Sequence, residues 1–265
     1  MIIAANIIAI CLYLLAAAMQ AAYLLNKTKP PQPSVLLSIG IIAVLAHSYS
    51  TVHTIYSDQQ IDLGLFRVSS LIFCCIAAIN LISILRRPTS NLLIALFPLA
   101  ALSIVASNFS SPAHSISVAS PGMFSHILIS ILSYSLMTIA TIQAIALTLQ
   151  ERHLKHHHMG GILKLLPPLQ TMEQILFELI WIGMGLLTLS LVTGFIFIND
   201  LFAQHLVHKT FFSILAWMIF AILLWGRHQL GWRSQTATRW TFGGFTALIL
   251  AYYGSKFVLE FILTS

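Results

Sequence analysis

PSVLLSIGIIAVLAHSYSTVHTIY, residues Pro33–Tyr56, contains no Asp, Glu, Lys or Arg. As a helix it is long enough to cross the hydrocarbon core of a bilayer, which takes about 20 apolar residues. A soluble helix of that length needs a charged face; this one offers two imidazoles and a few hydroxyls.

Outward from this segment the pattern recurs. Apolar stretches at about Ile3–Leu25, Ser34–Tyr56, Leu65–Leu85, Asn91–Ser107, Phe124–Leu147, Ile175–Ile198, Thr210–Trp225 and Trp240–Ile262 give eight expected spans. The 265 residues are 58% apolar and 8% charged, with a mean hydropathy of +0.91. That is too little charge for a soluble exterior. The expected fold is an all-α membrane protein, a bundle of about eight transmembrane helices in one polytopic membrane domain over 1–265. Its first five helices would occupy 1–149, a cytoplasmic linker 150–174 and the last three helices 175–265.

Charge orients the bundle. With eight spans, one side carries Lys27, Lys29, Arg86, Arg87, Arg152, Lys155, Lys164, Arg227, Arg233 and Arg239. The other holds Arg67, Lys209 and Lys256, with Asp58, Asp62 and Asp200. The basic side is cytoplasmic, so the N-terminus and C-terminus are both expected outside. The first segment lacks a basic region before it and a small-residue cleavage site, and reads as a span rather than a cleaved signal. The net charge of +6 follows from the same bias and requires no nucleic acid. Cys11, Cys74 and Cys75 all lie within apolar spans and form no CxxC pair, which fits packing rather than thiol chemistry.

Between the spans, Asn108–Met123 is rich in Ser, Pro and Gly and reads as an irregular cap on the outer face. Gln150–Gln174 carries His153, His156, His157 and His158, then Gly160-Gly161 and Pro167-Pro168. Clustered histidines can bind metal, but no Cys or carboxylate completes a set, so a solvated basic linker is expected.

Polar residues inside spans mark function more often than chance allows. On the second span Gly40, Ala43, His47, Ser50 and Thr54 recur at helical spacing. On the fifth, His126, Ser130, Ser133, Met137 and Thr141 do the same, with Tyr134 alongside. Two readings fit each stripe. One is an interhelical seam of small residues and hydroxyls. The other makes the imidazoles iron or metal ligands, His126 with His47, or with His53 on a different face of the same helix. Glu178, about one turn into the sixth span, reads as an interfacial carboxylate or a proton relay. Lys256 and Glu260 are spaced as a local ion pair, and Arg67 as a cation snorkelling to the outer interface.

Three further segments sharpen this: PGMFSHILISILSYSLMTIA, LPPLQTMEQILFELIWIGMGLLTLSLVTGFIF and AWMIFAILLWGRHQLGWRSQTATRWTFGGFTALILAYYGSK, which cover most of Pro121–Lys256. Together, in order and spacing, they resemble the cytochrome c assembly membrane family, the haem-handling CcsA and HemX-like proteins, and above all its short YpjD-type inner-membrane members. The first 120 residues resemble it mainly through the LAHS segment around His47. The resemblance implies a bundle of about eight helices in the bacterial cytoplasmic membrane with an outward-facing haem site. His126 matches the family histidine that begins an HxxxxxxSY helix and ligates haem on the outer side. Gly231, Trp232, Arg233, Tyr253 and Gly254 match positions of structural character.

Family members that deliver haem carry a tryptophan-rich loop between the helices matching spans six and seven. Here that stretch is NDLFAQHLVHK, without tryptophan; His205 and His208 in it read as ordinary exposed loop histidines or as substitute outer ligands. Longer members place a histidine where this chain has Trp225, and continue past the position of Ser265. The expected function is a haem-binding accessory in cytochrome c or haem biogenesis that lacks the delivery loop. His126 and His47 would hold the iron of haem b, Tyr134 and Phe124 would pack on the porphyrin, and Arg67 lies on the correct side for a propionate. The alternative is a haem-free regulator or partner subunit of another membrane protein. A transporter reading lacks matched broken helices. An enzyme is not expected, since no nucleophile–base pair or phosphate loop is present. Expected partners are membrane lipid and, in either reading, haem-biogenesis or other membrane proteins, with no nucleic acid.

Overall fold

A computed structural model describes residues 1–25, 27–57, 60–109, 115–116, 121–155, 166–197 and 204–257. The described chain is helical apart from short extended pieces. The helices are α1 (Ile2–Leu24), α2 (Pro33–Ile55), α3 (Leu65–Ile84), α4 (Leu93–Asn108), α5 (Pro121–Lys155), α6 (Leu169–Phe197), α7 (Gln204–Gln229) and α8 (Ser234–Ile249). Strands β1 (Tyr56–Ser57) and β2 (Gln60–Asp62) pair antiparallel, Tyr56 opposite Ile61, in the α2–α3 connection, and Ser115–Ile116 is a further two-residue strand.

Among the described residues, seven helical segments are long and apolar enough to cross a membrane: Ile2–Leu24, Pro33–Ile55, Leu65–Ile84, Ser90–Asn108, Pro121–Lys155, Leu169–Phe197 and Val207–Gln229. The eighth expected span starts inside α8, which has 16 residues, continues through a wider π-helical segment Leu250–Gly254 and the short turn Ser255–Phe257, and ends outside the described residues. With 35 and 29 residues, α5 and α6 exceed what a bilayer requires. The stretch read as a linker from Gln150 is therefore partly helical: α5 runs on to Lys155, and α6 begins at Leu169 just after Pro167-Pro168. His156–His158, Gly160-Gly161 and Lys164 lie outside the described residues, as do most of the expected outer cap at 108–123 and Asp58, Asp200 and Glu260.

The chain forms two compact units, Met1–Pro112 with Leu149–Met172, and Ala113–Thr148 with Glu173–Ser265. In the first, α1 packs on α2 and α4, and α3 packs on α2 and α4, closing a four-helix ring. Its core is built from small and aromatic residues: Ala9, Tyr13 and Ala16 of α1, Ala43 of α2, Ala77 of α3, Phe97 and Ala100 of α4. Lipid tails are as apolar as leucine, so association here depends on close fit, which alanine and glycine permit. Gly40 shows how tight the fit is: a Cβ there would lie 2.6 Å from Leu81 Cδ2. Polar residues pin one end of α1 to the end of α4 and the other to the turn that precedes α4. Asn6 Nδ2 donates to Asn108 Oδ1 at 2.9 Å, and Gln20 Nε2 donates to Ser90 Oγ at 3.4 Å.

In the second unit, hydrogen bonds join α5 to α6 (Ser133 Oγ to the Gly183 carbonyl, 3.1 Å), α6 to α7 (Trp217 Nε1 to Thr188 Oγ1, 2.9 Å) and α5 to α8 (Tyr134 Oη to the Leu248 carbonyl, 2.6 Å). The α7–α8 turn closes through Gly231, whose φ of +65° suits glycine.

Gly40→Val overfills the α2–α3 contact and is expected to cost about 1–3 kcal/mol. Gly185→Ala, at a position with nothing within 4 Å of the added Cβ, should be neutral. Paired thermal-unfolding curves in detergent check the contrast.

Candidate functional site

The stripe on α5 is the place to begin. His126 lies half-buried near the start of α5, facing the last turns of α6. Its Nδ1 is 2.9 Å from the carbonyl oxygen of Ser190 and 3.2 Å from Thr193 Oγ1. A carbonyl can only accept, so Nδ1 carries the proton. Thr193 agrees, because its own hydroxyl hydrogen is used on the Leu189 and Ser190 carbonyls. A neutral imidazole protonated at Nδ1 holds a lone pair on Nε2, and among the described residues nothing hydrogen-bonds that nitrogen. This is the form of histidine that ligates a metal, with its other nitrogen tied to a backbone carbonyl.

The surroundings hold the ring in place. Ser130 Oγ donates to the His126 carbonyl at 2.7 Å and lies 2.7 Å from Ser190 Oγ, whose hydroxyl must then be the donor between them. Gly194 leaves room for the imidazole: a Cβ at that position would approach His126 Cε1 to 3.1 Å. Further down, Ser133 and Met137 continue the contact with α6 at Gly183. The α5 stripe is therefore a helix seam whose end carries one nitrogen turned away from it.

His47 differs. It is fully buried in the first unit, with Nδ1 3.2 Å from Tyr13 Oη and Nε2 2.9 Å from Ser70 Oγ. Ser70 Oγ in turn lies 3.4 Å from Thr51 Oγ1, and Tyr13 meets the imidazole edge-on with centroids 5.7 Å apart. One nitrogen of a neutral imidazole donates and the other accepts; here both are occupied. His53 is exposed at the end of α2 against the ring of Tyr49.

Arg67 sits in the first unit, where Nη1 pairs with Asp62 Oδ2 at 2.6 Å and donates to the Thr54 carbonyl at 3.0 Å. It ties the β1–β2 connection to the end of α2. Tyr134 belongs to the second unit with His126. Its hydroxyl caps the Leu248 carbonyl where α8 widens into the π-helical segment, a place where the regular ladder leaves a carbonyl over. Its ring meets Tyr252 edge-on at 5.9 Å. Glu178 is exposed on α6, His208 is exposed near the start of α7, and the side chain of His205 lies outside the described residues.

Two residues that sequence reasoning passed over stand out. Lys209, on the first turns of α7, places Nζ 5.6 Å from the Tyr252 ring centroid. Glu173 is buried at the other end of the second unit, paired with Arg227 Nη1 and 3.3 Å from Arg233 Nε. Arg227 also donates to the Trp232 carbonyl at 3.0 Å and lies over the Phe177 ring. This clamp, with Trp232 stacked on Trp240 at 5.2 Å, explains the structural character expected of Gly231, Trp232 and Arg233. No three His, Cys, Asp or Glu residues among those described cluster as a metal cage.

The sequence pattern described as "Cytochrome C assembly protein" matches residues 35–263. The chain belongs to the cytochrome c assembly protein family. Within that family it is similar to inner membrane protein YpjD of Escherichia coli strain K12, 30% identical over 226 residues that make up 84% of this chain and 86% of that one. It is 23% identical over 134 residues to Protein HemX of Brevibacillus brevis, half of this chain (50%) and 49% of the relative. Cytochrome c biogenesis protein CcsA of Gloeobacter violaceus is 25% identical over 93 residues, 34% of this chain and 28% of that one. No solved structure matches the chain. Family, relatives and apolar helices make this cytochrome c assembly family member a multi-pass protein of the bacterial inner membrane.

The geometry separates the roles of two polar centres. His47→Ala strands Tyr13 and Ser70 in an apolar bundle and is expected to cost about 1–3 kcal/mol, read as a lower melting temperature in detergent. Glu173→Gln leaves Arg227 and Arg233 without their carboxylate. Its cost is on the order of 2 kcal/mol, below that of a dry pair because both arginines reach solvent. Limited proteolysis of the α7–α8 turn should report it as faster cleavage.

Proposed function

We propose that this protein is a non-enzymatic, haem-binding accessory of cytochrome c or haem biogenesis, with Nε2 of His126 as the iron-facing atom. The observation that carries the reading is the Nδ1–H hydrogen bond to the Ser190 carbonyl, which leaves an Nε2 lone pair unused within the described residues. An imidazole kept in that tautomer, with glycine beside it and hydroxyls behind it, fits ligation of a haem iron. Haem b, when bound, supplies a one-electron iron centre whose potential follows its axial ligation and burial. The residues around it do the rest: the Ser190 carbonyl fixes the proton, Gly194 gives the ring space, and Ser130 locks the α5 backbone beneath it. His47 joins such an iron only by giving up its bond to Tyr13 or to Ser70.

In this reading the whole chain acts as one membrane domain of eight spans with both termini outside, so that the His126 end of α5 faces the outer side. Family membership and the names of the relatives support a place in cytochrome c or haem biogenesis. The missing tryptophan in NDLFAQHLVHK argues for holding haem rather than handing it to an apoprotein. The same absence favours a second reading, a haem-free regulator or partner subunit that keeps the fold; the exposed Trp225 of α7, where the longer proteins that the chain resembles carry histidine, points the same way.

A reduced-minus-oxidised visible spectrum of the purified protein separates the two. A b-type spectrum is expected, lost in His126→Ala and weakened in Gly194→Val, whose side chain pushes the imidazole off the Ser190 carbonyl. Protein that stays colourless after reconstitution with haemin, and co-purifies with another membrane protein, sinks the haem reading in favour of the second.

A further inference from the structure

The turn between α7 and α8 gathers three arginines, Arg227, Arg233 and Arg239, near one buried carboxylate, Glu173. Glu173 pairs with Arg227 Nη1, and Arg233 Nε lies 3.3 Å from the same oxygen. Arg227 is committed to the fold: it also donates to the Trp232 carbonyl at 3.0 Å, and its guanidinium lies 4.5 Å over the Phe177 ring. Arg233 is not. Among the described residues it meets Glu173 through Nε alone, and its side chain is 62% exposed, so the two terminal nitrogens of its fork are open to solvent. Arg239, exposed in the second turn of α8, has no ion pair among the described residues. Glu178, the next carboxylate along α6, lies about 140° round the helix from Glu173.

An aromatic plate adjoins these cations. Trp232 and Trp240 stack with centroids 5.2 Å apart and planes at 25°. Gly226 makes room for them: a Cβ there would lie 2.4 Å from Trp232 Cε3, so the indole rests against the α7 backbone. The stack joins two positions whose sequence neighbours are Arg233 and Arg239. Depth decides what this combination meets. The α7 span ends at Gln229 and α8 begins at Ser234, so the turn lies where hydrocarbon gives way to headgroups. Indoles favour that boundary, and arginine forks take phosphate oxygens by paired hydrogen bonds. Along the two spans from the turn, Trp225 and Phe242 are exposed, as is Leu230 within it. A free phosphate leaves all of this apolar surface uncovered. An acidic segment of a soluble protein reaches the guanidiniums but not side chains at hydrocarbon depth. A lipid with a negative headgroup covers both.

We propose that the α7–α8 turn is a binding site for an acidic phospholipid, with Arg233 and Arg239 on the headgroup phosphate and the Trp232–Trp240 pair beside the glycerol and upper acyl chains. Glu173 is a positioning residue there: it holds Arg233 by Nε, leaving the rest of the fork for the lipid, and fixes the turn through Arg227. The site lies at the opposite end of the second unit from His126 and does not depend on the haem reading.

The test uses the full chain, delipidated in mild detergent and titrated with phosphatidylglycerol and with phosphatidylcholine of the same acyl chains. Bound lipid is counted by native mass spectrometry. Wild type is expected to favour phosphatidylglycerol about thirtyfold, and Arg233→Gln and Arg239→Gln each to lower that preference about fivefold. The double variant should lose it, and Arg239→Lys should keep most of it. Arg239 has no ion pair to break, so Arg239→Gln is expected to keep the wild-type melting temperature, which separates a lost site from a lost fold. Arg86→Gln, in the basic α3–α4 connection, should leave the preference unchanged. Equal binding of the two lipids by wild type overturns the proposal, as does a double variant that still discriminates. A loss in Arg86→Gln as large as in Arg239→Gln also overturns it, since surface charge in general then attracts the lipid.

Discussion

A histidine placed within a membrane bundle has two nitrogens and almost no water to satisfy them. Every polar atom left without a partner there is costly, so the surrounding helices must supply partners or the atom must be reserved for a ligand. That constraint divides the two imidazoles of this chain. At His47 the bundle supplies both partners, Tyr13 and Ser70, from α1 and α3. At His126, among the described residues, it supplies one side only, from Ser190 and Thr193 of α6. The same side chain is thus bonded at both nitrogens in one unit and, among the described residues, at Nδ1 alone in the other.

Small residues make both arrangements possible. Tyr13 reaches His47 because Ala9, Ala16, Ala43 and Ala100 let α1, α2 and α4 close around it. The α5–α6 seam closes in the same way, with Gly183 against Met137 and Gly194 against His126. In the absence of a hydrophobic force between helices in lipid, this close approach brings hydroxyls and carbonyls within hydrogen-bonding range. Packing and polar chemistry are therefore one problem, solved by the same positions.

Much of this could be read along the chain and some could not. Apolar length located the helices, and helical periodicity gathered His126, Ser130, Ser133 and Met137 onto the face that meets α6. Periodicity along one helix carries no information about its partner, however, so His47 and His126 look alike in sequence. Their difference lies in residues from distant segments, Tyr13 and Ser70 for one, Ser190 and Thr193 for the other. Arg67 was legible as a cation at the start of a span, but its pairing with Asp62 depends on the turn that β1 and β2 build. Lys209 and Glu173 were missed for a related reason. A lone charge near a span end normally signals an interface residue, and only tertiary packing shows that Glu173 is buried against two arginines and that Lys209 faces a tyrosine.

The turn Ser190–Gly194 concentrates these demands. The Ser190 carbonyl sets the tautomer of His126, the Ser190 hydroxyl bonds Ser130 on α5, Thr193 shares the Nδ1 proton, and Gly194 leaves the volume the ring occupies. A backbone carbonyl cannot be deleted by substitution, so the proton on Nδ1 is maintained by the path of α6 itself. The position of the His126 imidazole is thereby coupled to the packing of α6 on α5. The side chains that set this distance, glycine and serine, are also among the smallest available, which leaves the site little slack to absorb a larger residue.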